Sequence, residues 1–185
     1  MISEYVLRNL VDEIADFVFN KYQDNSTVPL HEPDLGNTNS LNYLKDCIDK
    51  NWVSSGGEWV ENFEKDLCKY TQAKYAIAVC NGTVALRLAL HLVGVQAGDE
   101  VLVTPTSFVA TANAISHLGA SPHFVDIEGT NLAISASKLD QRLKEIAIFK
   151  DGEVFNKITK KRISALLPVH VFGIPGDCEG IGKIS

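Results

Sequence analysis

Residues 75–104 read YAIAVCNGTVALRLALHLVGVQAGDEVLVT, and this stretch decides the fold class of the chain. The apolar runs at 75–80 and 100–104 lack the inside–outside alternation of a half-buried strand, so they predict two fully buried strands. Between them, residues 84–93 predict a helix that is buried almost all round, because its apolar surface is interrupted only by Arg87 and His91. Buried strands separated by helices indicate an α/β fold with a mostly parallel sheet and helices on both faces.

The same alternation continues toward residue 185. The sequence predicts a helix at 107–118, a short strand at 123–126, a helix ending near Ile146, and a strand at 163–171. Ser137 and Asp140 have the spacing of a capping box at the start of the second of these helices. Asp151-Gly152 lies between apolar residues and predicts a β-hairpin turn in a surface insertion at about 146–163.

The N-terminal part has a different organisation. Apolar side chains recur in three- and four-residue steps from Val6 to Val18, which predicts an amphipathic helix of about five turns. Prolines, a glycine and turn-forming residues at 24–39 predict a linker. Short helices are predicted around 40–50 and 58–70. We therefore expect a helical arm at 1–23, packed on the body or on a partner subunit, then a linker with a short helix at 24–50.

Composition narrows the functional class. The formal charge of -6 and the pI of about 5.3 argue against nucleic-acid binding. The acidic N-terminus does not fit a signal peptide, and no apolar run reaches the ~18 residues of a membrane span. We therefore expect a cytoplasmic protein that does not enter a membrane. The cysteines lack metal-ligand spacing and are expected to be reduced, with Cys80 acting as a small buried hydrophobe; they are Cys47, Cys68, Cys80 and Cys178.

Asn81-Gly82-Thr83 lies where the first predicted strand meets its helix. Ligands of parallel sheets bind at the carboxyl ends of the strands, where free N–H groups of the following helix attract anions. Gly82 would let a phosphate approach the backbone, and Thr83 would add a hydroxyl donor. The alternative is a simple turn in which Thr83 is the helix N-cap. P-loop, dinucleotide, zinc-protease and nucleophile-elbow motifs are all missing from the sequence.

Phe108 follows the second predicted strand at the same edge of the sheet. Its ring could stack on a flat cofactor whose phosphate is bound at Gly82-Thr83, and the alternative is a core residue. His170 ends the last predicted strand; a core histidine is favoured over one that faces the site.

YAIAVCNGTVALRLAL, GDEVLVTPTSFVATANAISHLGASPHFVDI and LPVHVFG, within residues 51–177, resemble the DegT-type sugar aminotransferases. The resemblance implies a three-layer large domain like that of aspartate aminotransferase, over residues 51–185, and pyridoxal 5'-phosphate (PLP) as cofactor. By this resemblance Gly82 and Thr83 bind the cofactor phosphate and Phe108 stacks on the pyridine ring. The loop with Ser54, Ser55 and Gly56 would lie near the sugar nucleotide, unless it is only a tight connection.

The stretch WVSSGGEWVENFEKDLCKYTQAKYA and the insertion before RISALLPVHVFG resemble the branch that aminates 4-keto-hexose nucleotides for sialic-acid-like sugars such as legionaminic acid. The resemblance implies glutamate as the amino donor, and a homodimer or a separately encoded second half as partner. In the family, the aspartate that contacts the pyridine nitrogen and the Schiff-base lysine come later than residue 185. We therefore expect an N-terminal half with no catalytic residue of its own, inactive alone; Lys183 matches a helix and not the lysine motif.

Two other functions stay open on the sequence. Some relatives use the pyridoxamine form of the cofactor to dehydrate sugars, with a histidine in place of the lysine. A non-catalytic remnant that binds a sugar nucleotide or a full-length homologue is the third possibility.

Overall fold

The computed structural model describes residues 4–21, 33 and 35–184. It divides into two compact units, residues 1–76 and 77–185. Among the described residues, no helix has both the length and the apolar character needed to cross a membrane.

The first unit is helical. Its elements are α1 (Glu4–Lys21), α2 (Ser40–Asp49) and α3 (Glu58–Thr71), and α1 confirms the predicted amphipathic helix. The Tyr43 and Trp59 rings join α2 to α3 with centroids 4.2 Å apart, and the Trp59 indole N–H donates to Asp46 at 2.8 Å. Most of the predicted linker at 24–39 lies outside the described residues, and the predicted domain boundaries stay predictions.

The second unit contains a parallel sheet with helices on both faces. Its elements are α4 (Gly82–Leu92), β1 (Glu100–Val103), α5 (Val109–Ser116), β2 (Ser121–Phe124), α6 (Ala136–Ile146), β3 (Ala147–Lys150), β4 (Glu153–Asn156), β5 (Ile163–Leu167), a 3₁₀ turn (Val171–Gly173) and α7 (Cys178–Gly182). The strand order is β2-β1-β5, with both pairs parallel. The central strand β1 is buried along its whole length, as expected for a strand covered on both faces, whereas β2 and β5 beside it are only partly buried.

Side-chain alternation along β1 divides the core into two clusters. Val101 and Val103 face α4 and α5, where they pack with Leu90 and Ile115. Leu102 faces the opposite side with α6 and α7, in a cluster that includes Leu139 and Ile181. The predicted three-layer α/β architecture is therefore confirmed.

The predicted β-hairpin turn is also confirmed. β3 and β4 pair antiparallel, with Lys150 opposite Glu153. Asp151 and Gly152 form the turn with φ of 53° and 84°, the left-handed conformation that Asp-Gly favours in tight hairpins.

A buried polar cluster lies at the amino edge of the sheet, where β1 begins. Glu100 is 4% exposed and accepts hydrogen bonds from the Asn156 amide at 2.9 Å and from His123 Nδ1 at 3.1 Å. Arg142 Nε lies 3.2 Å from His123 Nε2. Because arginine only donates, His123 accepts at Nε2 and donates from Nδ1 to Glu100. The cluster thereby joins α6, β2 and the hairpin to the start of β1.

Three sequence predictions are wrong. Residues 75–80 are not a strand, because no described strand pairs with them and Ile77 remains 75% exposed. α4 is not buried all round: Leu90 is its buried residue, whereas Leu92 is 75% exposed. α6 starts at Ala136, after Ser135, so Ser137 is already helical and the capping box is not formed.

Candidate functional site

The start of α4 lies toward the carboxyl edge of the sheet. α4 ends at Leu92, and the short segment 93–99 leads directly into the amino end of β1. α4 therefore runs antiparallel to β1, and its first turn points toward the edge where β1 ends. α5 begins at that edge too, because Val109 follows β1 after a five-residue loop. This is the edge at which open parallel sheets bind ligands.

Asn81 caps α4 and leaves the next two amides free. Its backbone is extended, with φ -167° and ψ 168°, and its side-chain oxygen accepts from the Val84 N–H at 2.9 Å. Within the described part of the chain, the N–H groups of Gly82 and Thr83 and the Thr83 hydroxyl have no hydrogen-bond partner. The alternative in which Thr83 is the N-cap is therefore wrong, because Asn81 has that role.

The fold does not require glycine at position 82. Gly82 lies in the first turn of a right-handed helix, and a Cβ built on it would meet nothing within 4 Å. The space beside the Gly82 backbone is therefore open, and Thr83 next to it is half-buried. This combination of a bare backbone, two N–H donors, a hydroxyl and the positive end of a helix fits a phosphate group.

Phe108 lies at the start of α5 and does not belong to the core. Its ring is 80% exposed, so the alternative of a core residue is wrong. The loop before it is tightened by the buried Thr104, whose hydroxyl accepts from the Thr106 N–H at 3.2 Å. Phe108 N-caps α5 with extended backbone, φ -66° and ψ 142°. An exposed aromatic ring at the carboxyl edge is available to stack on a flat ligand.

The loop with Ser54, Ser55 and Gly56 belongs to the first unit and is exposed. It ends at Gly57, whose φ of 131° only glycine adopts readily and whose Cβ position is 3.2 Å from the Trp52 side chain. A side chain at position 57 would therefore crowd Trp52, whereas Ser54 and Ser55 are exposed.

His170 and Lys183 are both at the surface. His170 is exposed, and its Nδ1 accepts from the Gly176 N–H at 3.1 Å, so the core-histidine interpretation is wrong. Lys183 follows α7 and pairs with Glu179 at 2.7 Å, with both side chains largely exposed. The pair is an ordinary i,i+4 surface contact, as expected for the helix region.

The described residues contain no group of histidine, cysteine and acidic side chains that could hold a metal ion. All four cysteines are free, and Cys80 is exposed, which corrects its interpretation as a buried hydrophobe.

Sequence reasoning missed the N-cap role of Asn81 and the exposed ring of Phe172 at this edge. Asn81 could have been found, since an asparagine directly before an apolar helix is a strong N-cap signal. Phe172, 89% exposed in the turn after β5, had no such signal, because its left-handed backbone (φ 53°) is unusual for phenylalanine.

Residues 35–185 match the model of the DegT/DnrJ/EryC1/StrS aminotransferase family. The chain belongs to this family. Among its DegT/DnrJ/EryC1/StrS relatives, the GDP-perosamine synthase of Vibrio cholerae is 37% identical over 83% of this chain and 37% of its own length. The GDP-perosamine synthase of Escherichia coli O157:H7 is 35% identical over 85% of this chain and 39% of its own length.

A solved structure extends the comparison. NtdA from Bacillus subtilis, with bound cofactor PMP, superposes with a TM-score of 0.67 and 29% identity, covering 89% of this chain and 35% of that one. The chain therefore spans somewhat more than a third of the length of the relatives that it matches.

Proposed function

We propose that this chain supplies the phosphate-binding edge of a PLP-dependent aminotransferase that acts on nucleotide-linked 4-keto sugars. The observation that carries the proposal is the pair of free N–H groups at Gly82 and Thr83. They lie in the first turn of α4, at the carboxyl edge of a parallel sheet, in a chain of the aminotransferase family.

The donor set fits the cofactor's phosphate. A phosphate monoester carries nearly two negative charges near neutral pH and accepts several hydrogen bonds. Two backbone N–H groups, the Thr83 hydroxyl and the helix dipole would meet that demand without a lysine. Neutral donors suit a chain whose formal charge is -6.

Each residue would have a separate task. Gly82 and Thr83 would bind the phosphate, and Asn81 would hold the first turn of α4 in place through Val84. Phe108 would cover one face of the pyridine ring and keep water from it. When bound, PLP supplies an electron sink that stabilises negative charge next to the transferred nitrogen.

The substrate proposal rests on the relatives and on the resemblance of the N-terminal stretch. Two matched relatives are named GDP-perosamine synthases, whereas the stretch at 52–76 and the hairpin resemble the legionaminic-acid branch. We propose a 4-keto-hexose nucleotide of the legionaminic type, glutamate as donor, and contacts from Ser54, Ser55 and Gly56. The active assembly would be a homodimer, or this chain completed by a second half.

The phosphate site is tested with Thr83→Val in the full-length protein. Valine keeps the shape of threonine but removes the hydroxyl, and a hydrogen bond to a charged group is worth about 1.5–3 kcal/mol. We expect PLP affinity, measured by absorbance titration, to fall roughly 10- to 100-fold. The melting temperature should not change, since the hydroxyl has no partner among the described residues.

Thr71→Val is the matched control. Thr71 is an exposed threonine on α3 whose hydroxyl donates to the Leu67 carbonyl at 2.7 Å. It should leave PLP affinity unchanged. Wild-type affinity in Thr83→Val would refute the proposed phosphate site. The substrate proposal is tested by incubating the protein with glutamate and a keto-sugar nucleotide, either of the perosamine type or of the legionaminic type, and identifying the products by mass spectrometry. If neither nucleotide is aminated, the substrate proposal is refuted.

A further inference from the structure

Phe172 combines an exposed ring with an unfavourable backbone. The side chain is 89% exposed, and its φ of 53° and ψ of 23° are left-handed helical values. Bulky residues rarely adopt this conformation, because Cβ crowds the neighbouring carbonyl oxygen. Strained residues persist where the surroundings force them, and they concentrate at ligand sites.

The other non-glycine residues with positive φ in the described chain have ordinary explanations. Four are polar residues at turns or helix ends: Asn51, Gln72, Asp151 and Lys160. Leu132 is the other large apolar one, but it is half-buried and its N–H donates to the Glu128 carbonyl at 3.0 Å. Phe172 differs from them because its ring is 89% exposed to solvent, so packing among the described residues does not account for its conformation.

The turn around Phe172 is firmly held. Val171 is buried, with 6% exposure, and anchors the turn to the body. The Gly173 N–H donates to the His170 carbonyl at 3.0 Å, and His170 Nδ1 accepts from the Gly176 N–H at 3.1 Å. These contacts fix the backbone so that the ring points outward.

Phe172 and Phe108 have equivalent positions on neighbouring strands. Val103 of β1 pairs with Leu167 of β5 in the parallel register. Phe108 lies five residues beyond Val103, and Phe172 lies five residues beyond Leu167. The two loops therefore leave the same edge side by side, and each ends in an exposed ring.

We infer that Phe172 is a substrate-contacting residue whose ring packs against the apolar face of the hexose in the nucleotide-linked sugar. The inference rests on the proposed function, in which Phe108 covers the cofactor ring. The carbon to be aminated must reach that cofactor, so the residue on the next strand meets the reacting hexose and not the distant nucleobase. Aromatic side chains are common in such pockets because they offer a rigid apolar surface.

The test compares Phe172→Gly, Phe172→Ala and Phe172→Tyr in the full-length, PLP-loaded protein. Glycine removes both the ring and the backbone strain, alanine removes the ring alone, and tyrosine keeps the ring. We expect the glycine variant to melt at the same temperature as the wild type or higher. Both ring-less variants should raise KM for the keto-sugar nucleotide at least tenfold, and Phe172→Tyr should stay within about threefold.

PLP affinity separates this inference from the proposed function. Normal PLP affinity with raised KM in the ring-less variants supports the contact with the sugar. An unchanged KM overturns the inference, and so does a lowered melting temperature of Phe172→Gly, which would show that the ring packs within the fold. Failure of the wild-type protein to bind PLP would refute the proposed function instead.

Discussion

The guanidinium of Arg162 donates hydrogen bonds to both carboxylate oxygens of Asp99, at 3.1 Å from Nε and 2.6 Å from Nη2. Asp99 precedes β1 and Arg162 precedes β5, so the pair aligns the beginnings of two neighbouring strands. Arg162 also donates to the Gly94 carbonyl and to Glu153, each at 2.8 Å. Hydrogen bonds from Arg162 to Asp99 and Glu153 raise its pKa above the ordinary value, so it remains a cation at every practical pH.

Removing the charge of Asp99 should destabilise the fold. Asp99→Asn leaves Arg162, which is 23% exposed, without its main partner, and breaking a largely buried ion pair costs about 3 kcal/mol. We expect urea unfolding to show a loss of that size. Asp151→Asn, in the exposed hairpin turn, is the control and should change the unfolding free energy by less than about 0.5 kcal/mol. Equal losses of unfolding free energy in the two variants would contradict the conclusion that the Asp99–Arg162 ion pair stabilises the fold.

Stability should fall in acid because of Glu100 and Asp99. Burial raises the pKa of Glu100, but hydrogen bonds from Thr159, Asn156 and His123 outweigh it, so the pKa lies below its ordinary value of 4.5. Burial also raises the pKa of Asp99, but the hydrogen bonds from Arg162 lower it by more, so this pKa lies below its ordinary value of 3.8. A carboxyl group whose pKa is lower in the folded state than in the unfolded state stabilises the fold at pH values above its unfolded-state pKa. This stabilisation is lost as the pH falls through its folded-state pKa.

We therefore expect the unfolding free energy to decline as pH is lowered below about 4.5, measured by urea titration at several pH values. Glu100→Gln should reduce the slope by up to about 1.4 kcal/mol per pH unit, the effect of one proton. An identical slope in wild type and variant would show that Glu100 does not contribute.

Two substitutions of Asn81 separate its effect on the stability of α4 from its effect on ligand binding. Asn81→Ala removes the acceptor for the Val84 N–H and should cost about 1 kcal/mol in unfolding free energy. Asn81→Asp keeps the cap and so should keep the stability, but it places a negative charge beside the proposed phosphate. We expect its PLP affinity to fall at least tenfold, and unchanged affinity would argue against a phosphate there.

The hairpin turn should depend on glycine at position 152. Its φ of 84° is left-handed, so Gly152→Ala should cost about 1 kcal/mol, measured by thermal unfolding. Gly129→Ala is the matched control, since its φ is not in the left-handed region and a Cβ there meets nothing within 4 Å. A loss as large at Gly129 would refute this explanation.

Local sequence signals predicted most of the second unit. The buried strands, the helices between them and the Asp151-Gly152 turn all follow from residue periodicity and turn chemistry, which act over a few residues. The free amides at Gly82 and Thr83 followed from the same kind of argument.

The errors came from long-range partners. Residues 75–80 have the composition of a strand, but a strand also needs a neighbour, which composition does not supply. Burial of α4 was overestimated because apolar residues need a covering surface, and Leu92 has none among the described residues. The exposure of the Phe172 ring is visible only in the structure. The same is true of the ion pair between Asp99 and Arg162, which are 63 residues apart in the sequence.

The buried polar cluster around Glu100 and the Asp99–Arg162 ion pair lie at one end of the sheet, and the proposed ligand residues lie at the other. Glu100, Asp99 and Arg162 secure the amino ends of the strands, whereas Gly82, Phe108 and Phe172 emerge past the carboxyl ends. Mutational drift at one end therefore carries little penalty at the other. A lineage with this scaffold is free to exchange the side chains of these loops while its foldability is inherited intact.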